Sequence, residues 1–169
     1  MTHTERVART IAGFDTAMDR FLARVEAVPA DVAMRPGPNG GWSIAAIVWH
    51  VAVTNEAFAG LVDGSVPLAQ APTEDFVETP FSEILALVPD RLDAPEKFHP
   101  PADLTIAAAL ERVKESRQQF VRAFHGLTEA RGAWTVKSIL GRLSVYQVGD
   151  WAIAHVARHN SQAKRALGD

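Results

Sequence analysis

The sequence predicts an all-α fold, a four-helix bundle with long crossover connections. Four segments carry apolar residues spaced three and four apart, which is the period of one helix face. Strand signals are weak, because the chain shows no run of alternating β-branched residues and no hairpin dipeptide. Four amphipathic helices bury their apolar faces against one another as a bundle. With 169 residues the chain is long enough for a core of its own, and we expect a single domain over residues 1–169.

The first two predicted helices lie on either side of a turn-rich segment, residues 35–41. The first helix ends before Pro29, and its apolar seam comprises Val7, Ile11, Phe14, Met18, Phe21 and Val25. The second helix begins after Ser43, whose hydroxyl suits an N-cap, and runs to about Asp63. Its apolar stripe comprises Ile44, Ile47, Val48, Val51, Phe58 and Val62.

A long connection, residues 64–103, separates these helices from the last two. It holds seven of the ten prolines, and a short helix is predicted around residues 81–88. Connections of this length are uncommon unless they serve a purpose such as covering a site. The third helix starts near Thr105 and runs toward Leu127. After a linker over residues 129–142, Ser144 is placed to cap a fourth helix that runs to about Leu167.

Composition excludes several classes of function. Hydrophobic residues make up 47% of the chain and charged residues 22%, and the 17 basic residues are scattered within a net charge of −3, so no nucleic-acid partner is expected. No uninterrupted apolar run approaches a membrane span, and the N-terminus lacks the apolar segment of a signal peptide, so we expect a cytoplasmic protein. The absence of cysteine excludes disulfides, thiolate ligands and a cysteine nucleophile.

Three histidines are the candidate functional residues. His155 and His159 are four residues apart in the fourth helix, so they lie on one face and can bind the same metal ion. His50, at the edge of the stripe on the second helix, is the natural third ligand. Three histidines with an open fourth position are typical of a reactive zinc centre. Buried imidazoles need hydrogen bonds or a metal, so the spacing alone leaves open whether these are metal ligands or satisfied core residues.

The remaining histidines are weaker candidates. His3 lies at a terminus expected to be mobile, His99 lies between prolines, and His125 is interpreted as a cation at a helix C-terminus. A zinc-protease helix is excluded, because valine at position 156 replaces the required glutamate. A di-iron bundle is excluded as well, because the Glu-x-x-His pair ending at His99 is not expected to be helical.

Other polar residues have open roles. Arg117, in the seam of the third helix, either anchors a substrate carboxylate or lies at the seam edge with its charge in solvent. Gln162, one turn beyond His159, either orients a ligand or closes the end of the bundle. Arg158 is expected to form a surface or interface pair. Glu56 and Asp150 are predicted to point away from the histidine faces, which leaves the site without an evident general acid or base.

Three features follow one another along the chain: a helix that begins after Trp-Ser and carries a histidine, a proline-rich crossing, and the run His-x-x-Arg-His-x-x-Gln (residues 155–162). In this order they resemble the DinB-like superfamily. This resemblance covers nearly the whole chain. It implies a bundle with two crossovers, often homodimeric, and a divalent metal on His50, His155 and His159. Zinc is the expected metal, with nickel or iron as alternatives. Relatives include thiol transferases and isomerases that use bacillithiol or mycothiol, as well as hydrolases.

Two chemistries follow from such a site. Three neutral imidazoles leave the metal its full charge, so a bound water reaches a pKa near 7 and a bound thiol loses its proton. The first gives a hydrolase that uses metal-bound hydroxide. The second gives a transferase that activates a low-molecular-weight thiol against a small-molecule substrate, and the resemblance favours it. A metal-stabilised binding or stress protein without turnover is the third possibility.

Overall fold

The computed structural model describes residues 1–88 and 94–168 and confirms the all-α fold class. In chain order, the described helices are α1 (His3–Glu26), α2 (Ala30–Ala33), α3 (Ile44–Asp63), α4 (Phe81–Leu87), α5 (Ile106–His125), α6 (Glu129–Gly132) and α7 (Val145–Leu167). Helices α1, α3, α5 and α7 are the four long helices that the apolar periodicity predicts. Single 3₁₀ turns lie at Pro38–Gly40 and Glu96–Phe98.

Side-chain caps set the starts of the long helices. The hydroxyl of Ser43 accepts a hydrogen bond from the backbone N–H of Ala46 at 3.1 Å, and that of Ser144 accepts from the N–H of Gln147 at 3.2 Å. Both predicted N-caps are therefore confirmed. Ser144 and Gln147 form a reciprocal capping box, which sets where α7 begins and therefore which of its side chains face the bundle.

The four long helices form a ring of neighbours. Helix α1 packs against α7 and α5, while α3 packs against α5 and α7. Consecutive helices α1 and α3 therefore lie on one diagonal of the bundle, and α5 and α7 lie on the other. Because α3 and α7 are neighbours although some 80 residues separate them, side chains from both helices can meet inside the bundle.

The core lies along the bundle axis. The rings of Phe14 and Phe120 stack with centroids 3.9 Å apart, which ties α1 to α5. Helix α3 is apolar on most of its circumference. By length and composition, the stretch Pro38–Asp63 is able to cross a membrane, because an 18-residue window within it has a mean hydropathy of 1.4. However, 78% of that window is buried inside the bundle, and the core helix of a soluble protein meets the same criterion.

A β-hairpin occupies the linker before α7, where no strands are predicted from the sequence. Strand β1 (Thr135–Ser138) pairs antiparallel with β2 (Gly141–Ser144), with Val136 opposite Leu143. Both of these side chains are buried, which anchors the hairpin to the core. The expectation failed because the turn lacks an Asn-Gly or Asp-Gly dipeptide. Instead, the Ser138 side chain accepts a hydrogen bond from the Leu140 N–H and donates one to the Gly141 carbonyl.

The long connection runs against α7, with residues 89–93 outside the described ranges. Ile84 of α4 is fully buried, and Gln147 of α7 donates a hydrogen bond to the Thr79 carbonyl. The prediction of a short helix near residues 81–88 is confirmed by α4. Glu78 accepts hydrogen bonds from Arg6 of α1 at 2.7 and 2.9 Å. The connection is thus held to both α1 and α7.

The expectation that His3 lies at a mobile terminus is wrong. His3 is the first residue of α1, and its Nδ1 lies 2.6 Å from the hydroxyl oxygen of Tyr146 on α7. A capping box between Thr2 and Glu5 extends α1 to this point. His125 is the last residue of α5 and is exposed, and its interpretation as a helix-end cation stays a prediction.

Candidate metal centre

The structure brings the three predicted histidines together. His50 comes from α3, and His155 and His159 come from consecutive turns of α7. The Nε2 atom of His155 lies 3.2 Å from Nε2 of His50 and 3.1 Å from Nε2 of His159. One ligand atom from each ring lies within 4.8 Å of the other two. Of the residues that the structure describes, these three alone form such a group of possible metal ligands.

The local sequence explains why these rings point inward. His155 and His159 continue the apolar face of α7 that includes Val148 and Ala152, both of which are fully buried. The histidines themselves are buried with it, His159 being only 2% exposed. His50 lies at the edge of the α3 stripe, where α3 meets α7, and it reaches across that contact.

Two outer hydrogen bonds orient the rings of His50 and His159. Nδ1 of His159 donates to Oε1 of Gln162 at 2.7 Å, and Nδ1 of His50 faces the backbone carbonyl of Phe98 at 3.4 Å. A nitrogen that donates carries the ring proton, so the opposite nitrogen, Nε2, carries the lone pair. Both lone pairs are therefore directed at the centre of the cluster.

His155 completes the convergence. Its Nε2 lies near both of these lone pairs, while its Nδ1 is buried without a hydrogen-bond partner. A proton on Nε2 of His155 can satisfy only one neighbour at a time and leaves Nδ1 as an unsatisfied buried acceptor. A cation at the centre would accept electron pairs from all three rings.

The spacing of the rings suits a first-row divalent metal. Zinc binds histidine nitrogen at about 2.0–2.1 Å with tetrahedral geometry, which places two ligand nitrogens about 3.3–3.4 Å apart. The two distances to His155 Nε2, 3.2 and 3.1 Å, lie close to that tetrahedral edge. An all-imidazole donor set suits zinc, nickel, copper and iron better than magnesium or calcium, which prefer oxygen. The residues present therefore fit the group.

Burial keeps the three imidazoles neutral. It lowers the pKa of His50, lowers the pKa of His155 well below 6.5 and lowers that of His159 to about 3. The neighbouring histidines and Arg158 add to the lowering for His155 and His159, and Arg158 also lowers the pKa of His50. At neutral pH the site therefore presents the unprotonated form that a metal requires.

Aromatic rings surround the histidines. The Trp42 ring centroid lies 4.9 Å from that of His50, and the Phe58 centroid lies 5.8 Å from that of His155. Phe98 supplies a ring 6.3 Å from His50 as well as the carbonyl that orients it. An apolar wall lowers the local dielectric constant, which strengthens the interaction between a metal and any charged ligand.

Other polar residues from the sequence analysis lie in ion pairs outside the cluster. Arg117 donates hydrogen bonds at 2.7 Å to Asp15 and Asp19 of α1, so its charge is already paired between α5 and α1 rather than directed at the histidines. Glu56 accepts from Arg112 at 2.7 and 2.8 Å.

Asp150 is also paired away from the cluster. It accepts a hydrogen bond from Arg9 of α1 at 3.1 Å. Together with the Glu56 pair, this agrees with the prediction that the two carboxylates face away from the histidines.

Two contacts at the site were not predicted from the sequence. Arg158 is expected to form a surface or interface pair, which stays a prediction, and in the structure its Nη1 also donates to Nε2 of His159 at 3.1 Å. A long side chain at the neighbouring position can fold back over the face, which helical angles alone do not show. The Phe98 carbonyl was missed because backbone oxygens leave no signal in the sequence. Gln162 does orient His159, as one of its two predicted roles.

Comparison with known proteins gives one finding. The family model of the DinB superfamily matches residues 14–163, a span that includes all three histidines, Arg158 and Gln162. No curated protein and no solved structure matches the chain significantly.

Proposed function

The chain belongs to the DinB superfamily, and we propose that it is a metal-dependent enzyme that activates a low-molecular-weight thiol for transfer to a small electrophile. His50, His155 and His159 are the proposed ligands of a divalent metal, with zinc favoured over nickel and iron. One observation supports this most strongly. The Nε2 lone pairs of His50 and His159 converge on Nε2 of His155, and an outer hydrogen bond holds each of the first two rings in place.

The protein's residues set the properties of this site. When bound, a divalent metal would act as a Lewis acid that lowers the pKa of a thiol or water in its open position. Gln162 and the Phe98 carbonyl hold two imidazoles in the tautomer that binds metal. The rings of Trp42 and Phe58 pack against His50 and His155, and the burial of the three histidines limits the access of water to them. None of the three proposed ligands is a carboxylate, so these ligands would not offset the charge of the metal.

The absence of cysteine is compatible with a thiol that comes from a cosubstrate. With no cysteine in 169 residues, any thiol chemistry at this site needs a cosubstrate. Hydrolysis through an activated water is the second candidate, since the same uncompensated metal charge favours it. A non-catalytic metal-stabilised protein is the third.

We further propose a cytoplasmic homodimer that acts on small molecules and does not bind nucleic acid, consistent with the net charge of −3.

Metal analysis and a thiol-consumption assay test the proposal. Purified protein is expected to retain about one equivalent of divalent metal per chain, and the single variants His50→Ala, His155→Ala and His159→Ala to lose it. His125→Ala, at an exposed position on α5, is the matched control and should retain metal. The loaded protein is then incubated with several low-molecular-weight thiols and an electrophile, and loss of free thiol is followed.

The outcomes separate the candidates. Thiol transfer is supported if the wild type consumes thiol only when metal is bound and His155→Ala consumes none. Ester hydrolysis with the same dependence, but without thiol consumption, favours the hydrolase. Bound metal with neither activity favours the binding protein. If the wild type binds no divalent metal and His155→Ala matches its thermal stability, the proposal is wrong. Size-exclusion chromatography with light scattering tests the homodimer separately.

A further inference from the structure

A cavity of about 530 Å³ lies between α3, α5 and α6, a volume within the range of small-molecule sites. The α3 residues that line it run from Glu56 to Asp63, which places them about 9–20 Å beyond His50 along the helix axis. None of the three clustered histidines lines this cavity. It is therefore separate from the candidate metal centre.

The cavity combines apolar side chains with charged ones. Four of the residues that line it are apolar and buried, namely Ala59 and Val62 of α3, Ala123 of α5 and Leu127. Charged side chains from α3, α5 and α6 also line it. Sites for small organic molecules have this composition, because the apolar surface accommodates the body of the ligand and the charged groups bind its polar end.

The Arg131 guanidinium is held at this cavity by neutral groups. Its Nη2 donates a hydrogen bond to the Leu61 carbonyl at 3.0 Å, and its Cζ lies 5.2 Å from the centroid of the Trp134 ring. Gly64 leaves room for it, since a Cβ at that position would lie 3.3 Å from Nη2. The Nε atom is buried and has no hydrogen-bond partner among the described residues. These contacts position the guanidinium without neutralising its charge.

A second guanidinium, that of Arg122 on α5, lines the same cavity and is exposed. Neither it nor Arg131 forms an ion pair with any residue in the described ranges. Glu56 lines the cavity too, but Arg112 already binds its carboxylate with hydrogen bonds of 2.7 and 2.8 Å. The exposed carboxylate of Asp63 is the other acid in the lining. The cavity therefore has an excess of one positive charge.

We infer that this cavity binds a small monocarboxylate with an apolar body. The planar fork of an arginine matches the two oxygens of a carboxylate, and the resulting hydrogen bonds are charge-assisted. A ligand with a single negative charge balances the excess charge of the lining, whereas a phosphate with two charges would also be repelled by Asp63. The inference does not depend on the proposed metal, because the residues that carry it belong to the other half of α3 and to α5 and α6.

Benzoate is the probe that tests this site. It is titrated into isotopically labelled protein, and the chemical shifts of the backbone amides report both the affinity and the place of binding. Benzamide has the same body without the charge, and inorganic phosphate has the charge without the body. Arg122→Gln and Arg131→Gln are compared with wild type, and Arg20→Gln, at an exposed position on α1, is the control. Circular dichroism checks that each variant is folded.

We expect wild type to bind benzoate with a Kd of about 1 mM and to bind benzamide and phosphate at least about tenfold more weakly. The shift changes should be confined to residues 56–65 and 119–131. Each cavity variant should weaken benzoate binding about tenfold, and Arg20→Gln should stay within about twofold of wild type. Arg122→Gln is the decisive variant, because Arg131→Gln also removes the hydrogen bond to the Leu61 carbonyl.

Three results would overturn the inference. The first is no saturable change in wild type up to about 50 mM benzoate, well above the expected Kd. The second is equal benzoate affinity in wild type and Arg122→Gln, or shift changes centred on the clustered histidines instead of the cavity. The third is phosphate or benzamide binding as tight as that of benzoate, which would show that the cavity does not select a carboxylate on an apolar body.

Discussion

Nδ1 of His159 donates a 2.7 Å hydrogen bond to Oε1 of Gln162, one turn further along α7. This bond determines which nitrogen of His159 carries the lone pair and holds the ring toward His50 and His155. Outer-sphere partners of this kind usually contribute to metal affinity through orientation and ligand basicity, although they never touch the metal.

Replacement of Gln162 should therefore weaken metal binding. We expect Gln162→Ala to lower zinc affinity about 10- to 100-fold, because the ring of His159 loses the partner that sets its tautomer. Gln162→Glu, which keeps an accepting oxygen, should retain most of the affinity. Competition with a chromophoric chelator measures the change, and Gln118→Ala on the exposed face of α5 is the control. Unchanged affinity in Gln162→Ala would show that packing alone holds His159 in place.

Metal should stabilise the folded protein, because the three histidines converge only when α3 and α7 are packed together. At a free zinc concentration a thousand times the dissociation constant, the expected gain is about 4 kcal/mol, which corresponds to a rise in melting temperature of roughly 8–16 °C. A chelator should reverse the shift. The measurement is thermal unfolding by circular dichroism with zinc and with chelator.

His155→Ala and His125→Ala separate specific from non-specific stabilisation by zinc. The first variant removes the central ring of the cluster and should abolish the shift, and the second removes an exposed histidine and should keep it. A shift of equal size in both variants would place the bound zinc elsewhere on the protein.

Asp150 should make stability depend on pH in a direction opposite to that of most carboxylates. It is 5% exposed, and burial raises its pKa above 3.8, with only partial compensation from Arg9 and Arg6. Between the unfolded and folded pKa values the folded state binds more protons, so the free energy of unfolding falls as pH rises. Above that window the ionised carboxylate lowers stability.

Asp150→Asn tests this sign. The variant should be more stable than wild type at pH 7.5, and its advantage should shrink as the pH falls toward 3.8, the ordinary pKa of the carboxyl in the unfolded chain. Urea unfolding at several pH values measures the difference, with Asp103→Asn at an exposed site as the control. If Asp150→Asn is the less stable protein at pH 7.5, the attraction between Asp150 and Arg9 outweighs the desolvation of the carboxylate.

Gly149 is required for the close approach of α1 and α7. A Cβ at this position would lie 2.3 Å from Cγ2 of Thr10 and 2.7 Å from Cζ of Phe124, both much closer than van der Waals contact. Gly149→Ala should therefore lower the free energy of unfolding by about 1–3 kcal/mol, as overpacked core substitutions do. At Gly126 the atoms nearest to an added Cβ would be 3.6 Å away, so Gly126→Ala should change stability by less than about 0.5 kcal/mol.

Chemical denaturation of the two glycine variants provides the comparison. Adding Thr10→Ser to Gly149→Ala removes the nearest clashing methyl group, so it should recover part of the lost stability. If Gly149→Ala and Gly126→Ala are equally stable, α1 and α7 can separate at no cost, and the tight contact is not needed for folding.

The four long helices were predictable because their signals are local. The apolar seam of α1, from Val7 to Val25, and the caps at Ser43 and Ser144 depend only on residues within a turn or two of one another. The hairpin was not predictable in the same way. Its turn at Ile139 and Leu140 lacks a glycine-containing dipeptide, and its strands are anchored by burial of Val136 and Leu143 in a core contributed by distant segments.

For the candidate site, the sequence alone determined that His155 and His159 share one helix face, because a spacing of four residues has that consequence in any α-helix. Only the tertiary structure decided that His50 joins them, that the Phe98 carbonyl orients it and that Arg158 turns inward. The contacts of His50 depend on how α3, α7 and the connection between α3 and α5 pack, and the contact of Arg158 depends on the direction that its long side chain takes over the face of α7. Packing joins residues as far apart as positions 50 and 155, and helical periodicity within one segment carries no information about such contacts.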